Sequence, residues 1–522
     1  MAFARPHKTH EPPRWAGNRT QGEIREELAM AEQTLAPTAT GTILALFGLA
    51  LTGVFLSGST PFDVARFAAY GAGLSILTSI VWDIRLGFQN LVRADVLAII
   101  GLYFLTLAEF LVPQPEFNSL AELETTRGAV IACLLGLGGL YAGRHIVVGG
   151  RNSLSDLLAR PIPTRWMIVV FVSCLFLGHL QMLIAVDFNV AELIDAMMGP
   201  RFSQPWGRGR LGDWKALLFE LSMLLFLVPP IAGVVFARRH LFSKAQIFIV
   251  ACGFGFELFY GFSSGTRNLF ISFIVAFLIG YAFALPRGRK SEMLIVLTAS
   301  VAVSLIATVW MLNFRQIGLK AWTQGVRVQS EIHEKLLHVD MNLYVIGELV
   351  RVFPRQHPYL GLEVPYLALI RPIPRAIWPN KPEGMSASLE SAAGADEEHW
   401  TVAASFVGEA YIAGGMIVVL LTGVFFGFLC TWWSQLASPK NSEIGVLIYA
   451  SGFVAVAISM RSLFVFTTAL LPTVVAIVGG RWLINRMQQR AQHDIARQRM
   501  TQRRKRPSHS TPPPKFPPHH DR

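Results

Sequence analysis

Apolar residues run along this chain in blocks of about twenty, separated by short polar segments rich in arginine. A block of that length supplies the helical rise needed to cross a hydrocarbon layer roughly 30 Å thick. The blocks lie at roughly 38–57, 63–82, 94–112, 128–148, 165–186, 215–237, 245–262, 268–285, 292–312, 402–433, 443–460 and 463–484. They predict an all-α polytopic membrane protein of about twelve spans. The pattern divides the chain into a polar segment 1–37, nine spans over 38–312, a long loop 313–401, three spans over 402–484 and a basic, proline-rich tail 485–522. The tail loses hydrophobic periodicity, and its composition predicts disorder.

Loop charge orients the spans. Arg85 and Arg93, Arg144 to Arg165, Arg238 to Lys244, Arg287 to Lys290, and Lys440 fall in alternate loops, which the positive-inside bias assigns to the cytoplasm with both termini. The loop 313–401 then faces outward. Its arginines oppose the insertion bias: Arg315, Arg327, Arg351, Arg355, Arg371 and Arg375, with Arg267 on the outer turn after Ser263. Such charges point to a ligand, although long loops cross with less regard for charge.

Composition agrees with the pattern. Of 522 residues 52% are hydrophobic and 15% charged, with mean hydropathy +0.44, which excludes a soluble enzyme. The first apolar run starts near Thr38 behind several arginines, so no cleavable signal peptide is expected. The net charge of +12 is concentrated in the tail, which reads more simply as an anchor facing anionic lipid than as a nucleic-acid site. Cys133, Cys174, Cys252 and Cys430 lie within spans without metal-ligand spacing and are expected to pack as small apolar residues.

Within the long loop, Val328 to Val352 has the three-and-four spacing of an amphipathic helix, ended by Pro354. Tyr359 to Ile370 reads as a re-entrant or interfacial piece. Leu369 to Pro382 follows, where four prolines fix φ and set Arg371, Arg375, Trp378 and Lys381 in order. Guanidinium groups suit phosphate and an indole suits a sugar face. The same residues also read as a proline-rich connector.

Screening by spacing removes several chemistries. No D-x-D pair, phosphate loop or G-x-S-x-G elbow occurs. His333 and His338 are five apart, which turns the second away from the first and excludes the H-E-x-x-H zinc geometry. No metal or cofactor is expected. Ionisable residues inside spans, Glu109, His179, Glu220, Glu257 and Glu409, fall toward the outer ends and mark candidate chemistry.

The segments Ile373-Pro-Arg-Ala-Ile-Trp-Pro-Asn-Lys-Pro382 and Gly408-Glu-Ala-Tyr-Ile-Ala-Gly-Gly415 resemble the pattern of the bacterial O-antigen or oligosaccharide repeat-unit polymerases (Wzy-type). The resemblance covers the last third of the chain. It implies a glycosyltransferase of GT-C-like architecture in the plasma membrane, moving a growing glycan from one undecaprenyl diphosphate to the sugar of another on the outer side. It implies lipid-linked oligosaccharide as donor and acceptor, and a chain-length regulator as a further partner. Arg371, Arg375 and Lys381 match the cationic loop, and Glu409 the G-E-x-Y position. Asp340, before the loop, joins Glu409 as a candidate catalytic group. Arg267, Arg315, Trp378 and His399 join the candidate substrate contacts. A glycan ligase shares this topology and diphosphate chemistry; in another class, an exporter of lipid-linked sugar predicts paired repeat halves and a charged midplane, neither of which the sequence shows.

The orientation is directly testable. Reporters fused after Arg289 or Lys440 are expected to be cytoplasmic, and one inserted near Gly394 outside; cytoplasmic signal from the Gly394 insertion refutes the loop assignment.

Overall fold

The computed structural model describes residues 35–86, 88–114, 116–146, 164–200, 203–206, 218, 221–285, 289–326, 342–371, 373, 377–382, 404–436, 443–463, 469–486 and 489. Among them the fold is helical throughout, with no strand. The helices are α1 (Ala39–Val54), α2 (Pro61–Ile84), α3 (Ala94–Thr106), α4 (Leu123–Gly143), α5 (Thr164–Ala185), α6 (Val190–Met197), α7 (Val228–Ala237), α8 (Lys244–Ser263), α9 (Arg267–Ala284), α10 (Lys290–Phe314), α11 (Asn342–Val352), α12 (Glu363–Ile370), α13 (Ser405–Leu436) and α14 (Glu443–Arg461). Residues 471–486 are also helical. Six described helices are long and apolar enough to cross a membrane, and four shorter ones are apolar.

Local chemistry sets the helix starts. Thr38 and Thr60 cap α1 and α2 through their hydroxyls, with Pro61 at the first helical position. Ser243 and Gln246 form a reciprocal capping box at α8.

Two groups of helices share α14 as a common wall. α1, α2, α3, α4 and α13 pack around one core, and α5, α7, α8 and α9 around another. Hydrocarbon tails are as apolar as leucine, so contact between spans depends on close approach rather than on expelling water. The α4–α13 seam provides it. Gly139 and Gly143 on α4 face Gly423 and Gly427 on α13, each pair spaced by four. A Cβ on Gly139 would lie 2.5 Å from the Leu420 carbonyl, and one on Gly423 2.7 Å from that of Gly136. The two backbones touch.

At one end of the first group, four charges are enclosed. Arg93 pairs with Asp95 through Nε at 2.9 Å and through Nη2, and Arg144 Nη1 donates to Asp83 at 3.1 Å. Arg144 also donates to the Thr42 and Ser79 hydroxyls, and Asp83 accepts from the Thr38 amide and hydroxyl. None of the four charged residues is more than 1% exposed. Arg93 and Arg144 were expected as loop charges; Asp83 and Asp95 instead draw them into the protein. Cys252 departs from expectation in the opposite sense, lying exposed on α8.

The expected single span over 402–433 is two helical arms. Gly415 adopts φ 73°, ψ −160°, a conformation reserved to glycine, and the chain reverses there. The Phe406 and Phe426 rings lie 5.4 Å apart, whereas twenty residues of straight helix separate side chains by about 30 Å. Residues 405–413 therefore fold back along the arm that follows. Apolar periodicity is the same in both arms, so hydropathy alone merges them.

Because the α4–α13 seam is backbone against backbone, Gly143→Ala sets a methyl group against the Val424 carbonyl. A loss of about 3 kcal/mol is expected. Gly138→Ala, where the nearest side chain is 3.9 Å away, is expected to be neutral or to gain up to about 1 kcal/mol. Thermal unfolding of both purified variants checks the difference.

Candidate functional site

The second sequence motif contains the reversal, and the segment ahead of α12 meets it there. Turning the chain at Gly415 leaves the carbonyls of Ile412 and Ala413 without helical donors. The amides of Leu360 and Gly361 supply them, at 2.9 and 3.0 Å. The Tyr411 hydroxyl donates to the Phe353 carbonyl at 3.3 Å, and the Tyr359 and Tyr411 rings meet edge to face. The re-entrant arm, α11, α12 and the segment between them thus form one hydrogen-bonded unit. α11 packs along α4, with Gly347 over Thr125 and Val350 over Gly128. The Asn342 side-chain amide donates to the Leu105 carbonyl at 2.9 Å and ties α11 to α3.

The proline-rich stretch follows α12 directly. The Lys381 ammonium donates to the carbonyls of Arg371 at 2.7 Å and Ile373 at 3.0 Å. It closes the stretch into a loop, with Trp378 half-buried against the main core. Lys381 thus serves the loop's shape, and Arg371 is half-buried at the end of α12. Sequence reading assigned all three to ligand contact and contained no signal for the ammonium–carbonyl bridge.

Glu409 is buried on the re-entrant arm. One carboxylate oxygen accepts from the Ser462 hydroxyl at 2.6 Å and the other from the Leu463 amide, just past the end of α14. The fold-back also moves it. Val407 and Leu102 both approach Gly136, which is about 12 Å along α4 from Arg144, and Met460 approaches Gly101. Glu409 accordingly lies at the level of the middle of α3 and α4, deeper than the outer position expected for it. There it joins two interrupted helices.

Arg267 and Arg315 lie at a common end of the second group, at the start of α9 and the end of α10. A Cβ on Gly265 would lie 3.3 Å from the Arg315 Cα. Asp340, Arg375 and His399 lie outside the described residues, as do residues 328–341 of the expected amphipathic helix, of which Asn342–Val352 is helical.

The fold and this site describe an α-helical, membrane-embedded protein with a re-entrant helical hairpin and a proline-braced loop. Residues 334–453 match the family model described as a domain of unknown function (DUF8712). That segment includes the braced loop, the re-entrant arm and most of α14. No curated protein and no solved structure matches the chain.

The Glu409 bonds can be weighed directly. Glu409→Gln leaves one of its two donors facing an amide nitrogen, and Ser462→Ala removes the other partner. Each is expected to cost about 1–2 kcal/mol, with a double variant short of additivity by about 1 kcal/mol. Unfolding midpoints of the three variants measure it.

Proposed function

We propose that this protein polymerises lipid-diphosphate-linked oligosaccharide repeat units at the outer face of a bacterial plasma membrane. The observation that carries the reading is that the segment leading through α12 into the first motif is hydrogen-bonded to the second. Amides just ahead of α12 and the cationic loop cap the carbonyls of the G-E-x-Y arm. A twelve-span topology with cytoplasmic termini and a GT-C-like architecture belong to the same proposal.

In the proposed reaction the acceptor sugar's hydroxyl oxygen attacks the anomeric carbon of the donor chain. The bond to the diphosphate breaks, its electron pair leaves with undecaprenyl diphosphate, and the hydroxyl proton passes to a base. Arg371 and Arg375 offset the charge growing on the diphosphate, and Trp378 borders the sugar. Lys381 holds the loop closed around them. Glu409, already oriented by two donors, serves as base or positions the arm, with Asp340 and His399 as the other candidate bases. Loss of elongation by Glu409→Gln well beyond that of Ser462→Ala, at a similar cost in stability, assigns it the base.

One observation favours a second reading, an exporter of lipid-linked sugar. Broken helices flanking a carboxylate at mid-bundle depth are a transporter device. Purified protein in vesicles separates the two: elongated glycan supports polymerisation, whereas repeat units crossing unchanged support export.

Two measurements test the polymerase chemistry. Arg375→Lys keeps the charge but loses the two-pronged geometry, so elongation is expected to fall at least about tenfold, while Arg355→Lys at an exposed position stays near normal. Equal small effects make the loop a connector. Elongation is also expected to persist in excess chelator; loss restored by magnesium would overturn the assignment of the diphosphate charge to arginine.

A further inference from the structure

The second helical group encloses a polar pair that the proposed chemistry does not use. Glu257 on α8 is fully buried, and neither carboxylate oxygen has a hydrogen-bond partner among the described residues. The group nearest to it is His179 on α5, whose Nε2 lies 3.9 Å from Oε2. His179 is buried too, between the rings of Phe256 and Tyr260. Its Nδ1 lies 2.9 Å from the Leu175 carbonyl. A carbonyl only accepts, so Nδ1 carries the hydrogen, and in the neutral ring Nε2 presents a lone pair.

Two acceptors therefore face each other in an apolar interior. That arrangement is repulsive unless something positive lies between them, and a bare carboxylate is not tolerated there without a partner. The elements packed against α8 are α5, α6, α7, α9 and α10. Of the titratable groups on α5 and α8, His179 and Tyr260 face the carboxyl, and among the described residues α6, whose Asp195 pairs with Lys320, and α7, α9 and α10 offer it no ion pair. Two facing ligands are too few to enclose a metal ion. One proton completes the pair: bound to Oε2, it lets Glu257 donate toward Nε2 and leaves the site neutral.

We propose that Glu257 and His179 form a proton-binding site inside the membrane, with the proton on the Glu257 carboxyl and His179 Nε2 as its acceptor. The 3.9 Å between Oε2 and Nε2 is longer than a hydrogen bond, so the two groups close by about 1 Å when Glu257 donates to His179. The site lies on α5 and α8, away from the braced loop, and does not depend on the polymerase reading.

Infrared difference spectra of the full chain in lipid nanodiscs, wild type minus Glu257→Gln, test this. At neutral pH a protonated-carboxyl carbonyl band is expected in the wild type, shifting in heavy water and absent from the variant. Above the midpoint of its titration the band is expected to fall about tenfold per pH unit. His179→Phe, which removes the acceptor, is expected to shift the band's frequency without abolishing it. A carboxylate band in place of the acid band at neutral pH overturns the proposal. So does an acid band that sodium chloride converts to carboxylate at fixed pH, which makes this a metal-cation site. Should Glu257→Gln fail to fold, isotope-edited spectra of wild type labelled at glutamate carboxyl carbons give the same two outcomes.

Discussion

Asp83, Arg93, Asp95 and Arg144 are buried from solvent, and the bonds among them are the condition on which the first helical group rests. Each comes from a helix end: Asp83 closes α2, Arg93 and Asp95 open α3, and Arg144 closes α4. Thr38, which starts α1, donates to the same carboxylate. Opening any one connection strands a charge in a dry interior, at a cost of several kcal/mol. Four helix ends are thereby tied to one point, and the Ser434 hydroxyl, accepting from the Ala94 amide at 2.9 Å, draws α13 to the same place.

At the opposite end the constraint concerns backbone rather than charge. A helix that reverses inside a bundle exposes carbonyls that lipid cannot satisfy. Leu360 and Gly361 meet that need, so the reversal and the loop segment exist only together. The segment ahead of α12 is thereby held to the bundle, and Trp378 packs against the main core beyond it. Glu409 adds a second tie, from the re-entrant arm to the end of α14.

Hydropathy made most of the helices legible, because a run of apolar residues has few other uses at this length. Arg93 and Arg144 were misread for a physical reason: an arginine near a helix end looks the same whether it faces water or a buried aspartate. Asp83, within an apolar run, and Asp95 were the available signal. Gly414 and Gly415 close the second motif, yet the fold-back they allow depends on partners for its carbonyls more than fifty residues away, which no local pattern encodes. Lys381 was expected to contact phosphate from its charge alone, and a sequence does not display the two carbonyls that its ammonium also binds. For Glu257 and His179, sequence flagged each residue separately, and only the packing of α5 on α8 brings their acceptors face to face.

The glycine seam between α4 and α13 also acts as a ruler. Side chains that interdigitate can repack after a small slide, but backbone resting on backbone leaves no slack in either direction. Sliding α13 by one residue, a step of about 1.5 Å, would bring β-carbons where the glycines now meet. The seam therefore sets the height of everything α13 carries: the level of Glu409, the position of the reversal and the distance from the membrane at which the cationic loop is displayed.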